Sequence, residues 1–216
     1  MEDPEAAIMA LQAEVAATPE GDPDRARMLA DLGECFCERF KQAGDLADLD
    51  ASIVHLKAAV EATPEDHPER AARLNNLGVH LGNRYGQRQD LQDLEAAIAW
   101  LEVATEAMPE DDPFYPSLLK NLGNRLRDRF EHTGNLRDLE GAITRLEAAV
   151  EVTPEDHPHR ASFLENLGMD LRESYERTGN LSDLEAAIEL MMFRLLFALK
   201  GHVEPTGSPV GPPSSD

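Results

Sequence analysis

The sequence predicts an all-α solenoid of antiparallel helix pairs, on the strength of its period, its apolar spacing and its regularly placed glycines and prolines. A 45-residue period runs through the chain: residues 90–98 return as 135–143 and 180–188, with a looser copy at 45–53 and Ile8 one period further upstream. Inside a period the apolar residues fall three or four apart, as at Leu74, Leu77, Leu81 and Tyr85, which is the spacing of one helix face. Leu-Gly recurs at Leu32-Gly33, Leu77-Gly78, Leu122-Gly123 and Leu167-Gly168, and prolines recur at 19, 64, 109 and 154 and at 23, 68, 113 and 158. Self-similarity of this length marks units that stack because none can bury its apolar face alone.

Each period divides into two helical patterns. The first starts at an Asp-Pro or His-Pro step (Asp22-Pro23, His67-Pro68, Asp112-Pro113, His157-Pro158), because proline suits the first helical position and Asp, just before it, is a good cap for the N–H groups of the first turn. This places first-type helices over 23–41, 68–88, 113–131 and 158–177. The second pattern begins near Asp-Leu-Glu-Ala-Ala-Ile and buries one face, Ala142, Ile143, Leu146, Ala149 and Val150 in the third full copy, with Arg145, Glu147 and Glu151 turned away. Gly134-Asn135 and Gly179-Asn180 separate the two. The expected organisation is a lone second-type helix in residues 1–22, four pairs over 23–200 and a disordered Pro/Gly/Ser-rich tail over 201–216, nine helices in all. After Ile188 the solvent positions become Leu190, Met192 and Leu196, and Leu199 replaces the expected proline. Two explanations stay open: a last helix modified to pack on the array or a partner, and a truncated repeat with an altered end.

Composition narrows the function. The 216 residues are 42% apolar, 5% aromatic and carry a net charge of −22, which suits thin helix-on-helix packing and opposes binding to nucleic acid or anionic lipid. No segment is long and uncharged enough to span a bilayer, and the first residues lack the basic and apolar regions of a signal peptide. Cys35 and Cys37, two apart on one helix, pair poorly, so a reducing, cytoplasmic compartment is expected.

The alternation of small and large residues resembles the tetratricopeptide repeat (TPR). Leu77-Gly78 and Leu81 are followed by Ala97, Leu101, Ala104 and Pro109, and Leu122-Gly123 and Leu126 by Ala142, Leu146, Ala149 and Pro154. The resemblance covers roughly residues 4–190. A standard unit of that family has 34 residues; the longer unit here looks like those of kinesin light chains, and the texture is similar to fungal multidomain arrays that accompany nucleotide-binding switch or caspase-like peptidase domains. The resemblance implies a right-handed superhelix whose concave groove is lined by first-type helices and holds a peptide or helix of a protein partner.

Charge gives that groove an expected character. The first-type segments carry 0, +3, +2 and −1 in chain order, so the rest of the chain holds −26 of the total −22. A neutral to mildly basic wall inside an acidic exterior favours a neutral or acidic peptide, while the alternative is that the acids merely solubilise the outer side. Asn76, Asn121 and Asn166 occupy one repeat position, with Asp31 in the first copy, and share their stripe with His80 and Asn83, Arg125 and Asp128, and Asp170 and Glu173. An amide donates and accepts, so an Asn ladder suits an extended backbone, or else bonds the neighbouring repeat. Lys120, Asn121 and Asn124 form the most polar cluster, similar in composition to the carboxylate-gripping residues of chaperone-binding relatives, though the other copies lack matching bases. Partner contact is therefore expected at Asn76, His80, Asn83, Lys120, Asn121, Asn124, Arg125 and Asn166. Arg39, Arg84 and Arg129 form a second ladder beside Phe40, Tyr85 and Phe130; the aromatics read as core and the arginines as partners of acids on the next helix.

No catalytic, metal or cofactor site is expected. The equivalents of Cys35 and Cys37 are His80 and Gly82, Arg125 and Arg127, and Asp170 and Arg172, so no ligand set recurs. His67 and His157 precede prolines at helix starts and read as turn or cap residues. The sequence thus points to a protein-interaction scaffold rather than an enzyme. Two further readings remain: a regulatory or sensor fragment of a larger signalling or peptidase protein, inactive alone, and a homo-oligomer that associates through its terminal helices.

Overall fold

The computed structural model describes residues 4–201, with side chains to residue 192. Among the described residues it contains nine helices: α1 (Pro4–Ala17), α2 (Pro23–Ala43), α3 (Leu46–Glu61), α4 (Arg70–Arg88), α5 (Leu91–Ala107), α6 (Tyr115–Thr133), α7 (Leu136–Glu151), α8 (Arg160–Thr178) and α9 (Leu181–Gly201). Helices α2/α3, α4/α5, α6/α7 and α8/α9 form the expected antiparallel pairs, and α1 packs on α2. The first-type helices α4 and α6 also touch each other past α5. Helices that meet their next-but-one neighbours lie on the shorter, inner side of a curved array, so the first-type helices line the inner wall.

Local chemistry sets each pair. The turn after the first helix places Gly44, Gly134 and Gly179 at φ 74°, 70° and 73°, a left-handed conformation that glycine adopts without a Cβ penalty. The second copy puts Gln89 there instead, at φ 55°. Asp45, Asp90 and Asn135 then cap the second helix, their side chains accepting from the N–H two residues on at 2.9, 3.0 and 3.3 Å.

The first-type helices of copies two to four begin at Arg70, Tyr115 and Arg160, two residues after the expected prolines. There the cap residue closes a separate turn: His67 and His157 accept from the N–H of Glu69 and His159 at Nδ1, and Asp112 from Phe114. A tighter bond, Arg70 N–H to the His67 carbonyl at 2.9 Å, bridges turn and helix. In α2 the helix does start at Pro23, capped by Asp22.

Leu-Gly works as a knob-and-hole. A Cβ on Gly33 would lie 2.8 Å from Leu56 Cγ, and one on Gly78 2.6 Å from Leu101 Cγ, so only glycine admits the facing leucine this closely. Leu32, Leu77 and Leu122 are at most 1% exposed beneath it. In the last pair the fit opens: the nearest atom to a Cβ on Gly168 is Leu190 Cβ at 4.0 Å, and Met191, at the position of Leu56 and Leu101, is 51% exposed. Leu190 is half-buried and Met192 exposed, as expected of a divergent last helix. The side chains of Leu196 and Leu199 lie outside the described residues; of the tail expected over 201–216, Gly201 is the last residue of α9 and 202–216 lie outside the described residues.

Arginines join the repeats. Arg25, Arg70 and Arg160 lie at one position, and each donates to two carbonyls at the end of the preceding second-type helix: Val15 and Thr18, Val60 and Thr63, Val150 and Thr153. A cation at a helix C-terminus answers both the unpaired carbonyls and the helix dipole. The third copy has Tyr115 there. This ladder was readable as a recurrence at 45-residue spacing and is absent from the expected set.

Candidate functional site: the inner wall of first-type helices

The second arginine ladder is structural. Arg39, Arg84 and Arg129 each engage the aspartate nine residues on, at the start of their own pair's second helix, and an acid thirty-four residues back, on the previous second helix. Arg84 Nε lies 2.7 Å from Asp93 and its Nη1 2.9 Å from Asp50, which Arg88 also holds at 2.8 Å. Asp48, Asp93 and Asp138 are at most 6% exposed, and the paired charges make their burial tolerable. In the fourth copy Ser174 replaces the arginine and donates to Asp183 at 2.6 Å. The surplus basic charge of the first-type helices is thus largely neutralised by acids of the second-type helices. A charge count per helix does not carry over to the groove wall.

The amides divide into two groups. Asn121 donates to Asn75 at 2.9 Å, Asn75 to Asn76 at 3.3 Å and Asn166 to Asn124 at 3.2 Å. These half-buried residues tie α4, α6 and α8 together, which is the neighbour-bonding arrangement. Asn83 stands apart: its side chain bonds no described residue. Lys120 is half-buried, its ammonium 5.9 Å from the centre of the Phe163 ring.

His80 is 4% exposed and faces a joint rather than the groove. Its Nδ1 shares a 2.6 Å hydrogen bond with Ser52 Oγ, and its Nε2 lies 3.5 Å from Glu34 Oε1. Burial lowers its pKa, yet the hydrogen bonds to Cys37 and Glu34 outweigh that and hold the imidazole up at about 9. Glu34 in turn is held below the ordinary carboxylate range, because His80 overrides the upward push of burial. Reaching a ligand would require His80 to leave this joint.

Asn83 and Arg125 line a cleft of about 480 Å³ at the C-terminal halves of α2, α4 and α6. Phe40 and Lys41 form one side, Gly82, Tyr85 and Gly86 the floor, and Asp128 and Glu131 the other side. Arg125 folds over Gly82, where an added Cβ would lie 2.7 Å from its Cδ, and pairs with Asp128 at 3.1 Å. Burial raises the pKa of Asp128 against the pull of Arg125, and Glu131 pushes the same way. The Tyr85 ring is only 7% exposed, and its hydroxyl bonds no described residue. Burial foremost, then Asp128 and Glu131, raises its phenol pKa.

Cys37 is buried and Cys35 half-buried, and they form no disulfide with each other. Among the described residues no group of three His, Cys, Asp or Glu side chains could hold a metal ion, and no helix is long and apolar enough to cross a membrane.

No family model and no curated protein matches the chain. Solved structures do. MamA is similar at 18% identity and TM-score 0.59, covering 89% of this chain and 91% of that one. The nearly identical TPR-like repeats of a putative kinesin light chain from Podosopora anserina give 16%, TM-score 0.61 and 87% of each chain. YrrB, a TPR protein with an unusual peptide-binding site, gives 17%, TM-score 0.57 and coverage of 93% and 84%. At these identities the likeness establishes architecture alone: the chain has a TPR-like α-solenoid repeat fold.

Proposed function

We propose that the chain is a protein-interaction scaffold that takes an extended segment or helix of a protein partner along its inner wall. The observation that carries this reading is the cleft across α2, α4 and α6, where the Asn83 amide and the Tyr85 hydroxyl bond no other side chain among the described residues. Elsewhere on the wall the amides bond one another, so recognition concentrates at this cleft. The reading involves no catalysis, cofactor, nucleic acid or membrane. A photo-crosslinking residue placed at Asn83 should capture a partner in cell extract, while the same residue at exposed Val54 on second-type helix α3 should not. Equal capture from both positions would remove the groove from the account.

Self-association is a second reading, favoured by the last pair. Ile53 and Ile98 are 2% and 3% exposed under the following repeat, whereas the equivalent Ile188 is 46% exposed beside Met191 and Met192. Another copy of the chain covering this face would restore the inner pattern. Sedimentation velocity of wild type and Ile188→Glu decides it: a monomer at all concentrations ends this reading.

A further inference from the structure

The cleft is the place where the repeat breaks its own pattern. The position of Gly82 is Cys37, Arg127 and Arg172 in the other copies, and that of Gly86 is Lys41, Glu131 and Glu176. Two glycines in one helix interior each weaken the helix relative to alanine. Gly82 makes room for Arg125, but a Cβ on Gly86 would meet nothing within 4 Å. Gly86 therefore serves no packing contact. It leaves open a space that long charged side chains occupy in the other copies.

Three features give that space a sign. Its lining comes from the C-terminal halves of α2, α4 and α6, whose helix dipoles all turn their negative ends this way. Asp128 and Glu131 stand on one side, one turn apart on α6, Glu131 also taking Arg127 Nε at 2.9 Å. The two cations of the lining are engaged as well: Arg125 with Asp128 at 3.1 Å, Lys41 with Glu38 at 3.5 Å. Phe40 and the deeply buried Tyr85 add aromatic walls, and the Tyr85 hydroxyl, which bonds no described residue, is a further hydrogen-bonding group of the lining residues. The whole chain, at −22, adds a field of the same sign.

Building on the scaffold reading, we infer that this cleft takes a lysine or arginine side chain of the bound segment, its stem against Phe40 and Tyr85 and its charge beside Asp128 and Glu131. The preference is opposite to the acidic peptide that the charge count per helix suggests, because that count includes arginines which the second-type helices already neutralise.

The test uses three pools of fluorescein-labelled decapeptides, degenerate in neutral residues except for a central Arg, a central Glu or a central Gln. Each is titrated by fluorescence anisotropy into the full chain and into Asp128→Asn and Gly86→Lys. Both variants should fold: Asp128→Asn is isosteric, and Gly86→Lys improves helix propensity while restoring the residue found at position 41. Circular dichroism melts confirm this for each. The Arg pool should bind about tenfold or more tightly than the Glu and Gln pools, and each variant should abolish the preference. Binding of the Glu or Gln pool as tight as that of the Arg pool, or a preference that survives both variants, overturns the inference while leaving the groove in use. Binding of no pool overturns the scaffold reading with it.

Discussion

Arg127 on α6 pairs with Asp170 on α8, and the same two repeat positions hold Gly82 with Arg125 and Cys37 with His80 at the other joints. One geometric slot between neighbouring first-type helices is thus filled three times by different chemistry: thiol with imidazole, glycine with guanidinium, guanidinium with carboxylate. The backbone repeats while the joints do not, so each joint has its own response to pH and substitution.

At the α6–α8 joint burial dominates. Asp170 is 1% exposed, and desolvation raises its pKa to about 6 even though Arg127 favours the charged form. A carboxyl group raised above its unfolded value binds a proton more readily when folded, so stability falls as pH rises from about 4 to about 6. Urea melts across that range should show a decline of about 1–2 kcal/mol, and Asp170→Asn should flatten it. A slope that persists in the variant would assign the effect to another group.

Close packing at the Leu-Gly position makes opposite outcomes for two like substitutions. Gly78→Ala drives a Cβ to 2.6 Å from Leu101 Cγ and 3.1 Å from the Ala97 carbonyl, and should destabilise by about 1–3 kcal/mol. Gly168→Ala meets nothing nearer than 4.0 Å and should stabilise by about 0.5–1 kcal/mol through helix propensity. Thermal melts of the two variants check the contrast, and equal losses would mean that the last pair packs as tightly as the inner ones.

The fold was legible because packing repeats with the sequence: Leu77, Leu122 and Leu167 lie at one depth, and a period of 45 announces them. The arginine–aspartate pairs were also in plain view as Arg39/Asp48, Arg84/Asp93 and Arg129/Asp138, each nine apart across a turn. The amides were harder. Asn75, which ties Asn121 to Asn76, corresponds to Ala30, Lys120 and Glu165, so no recurrence betrays it. His80 sits on the same stripe as Asn76 but faces Ser52 and Glu34, because the joint to α2 and α3 reaches further around α4 than a count of core leucines implies. The cleft was visible only as a departure from the pattern, at Gly82 and Gly86.

The clamp missing from the fourth copy can be restored. Arg84→Ala should leave Asp93, 5% exposed, without its guanidinium and cost about 3–5 kcal/mol. Ser174→Arg would place a guanidinium between Asp183, nine residues on, and Glu140, thirty-four back, the partners its counterparts use. The second change should stabilise the α8/α9 pair by about 0.5–1 kcal/mol, read as slower hydrogen exchange confined to those helices. Faster exchange there would show that the Ser174–Asp183 bond suits this joint better.

His80 supplies the alkaline counterpart of Asp170. Its folded pKa of about 9 lies above the unfolded value, so the imidazolium's contribution is complete below about pH 6.5 and is lost as pH rises through 9. The groups facing it are Glu34 and Cys37 on α2 and Ser52 on α3. Ring-proton chemical shifts should titrate near pH 9, and hydrogen exchange in α2 and α4 should quicken over the same range. Cys37→Ser separates the two upward influences: if the thiol matters, the midpoint drops while Glu34 still keeps it above that of an exposed histidine. A midpoint of 6.5 or lower in the wild type would mean that burial, not the Glu34 and Cys37 contacts, governs this joint.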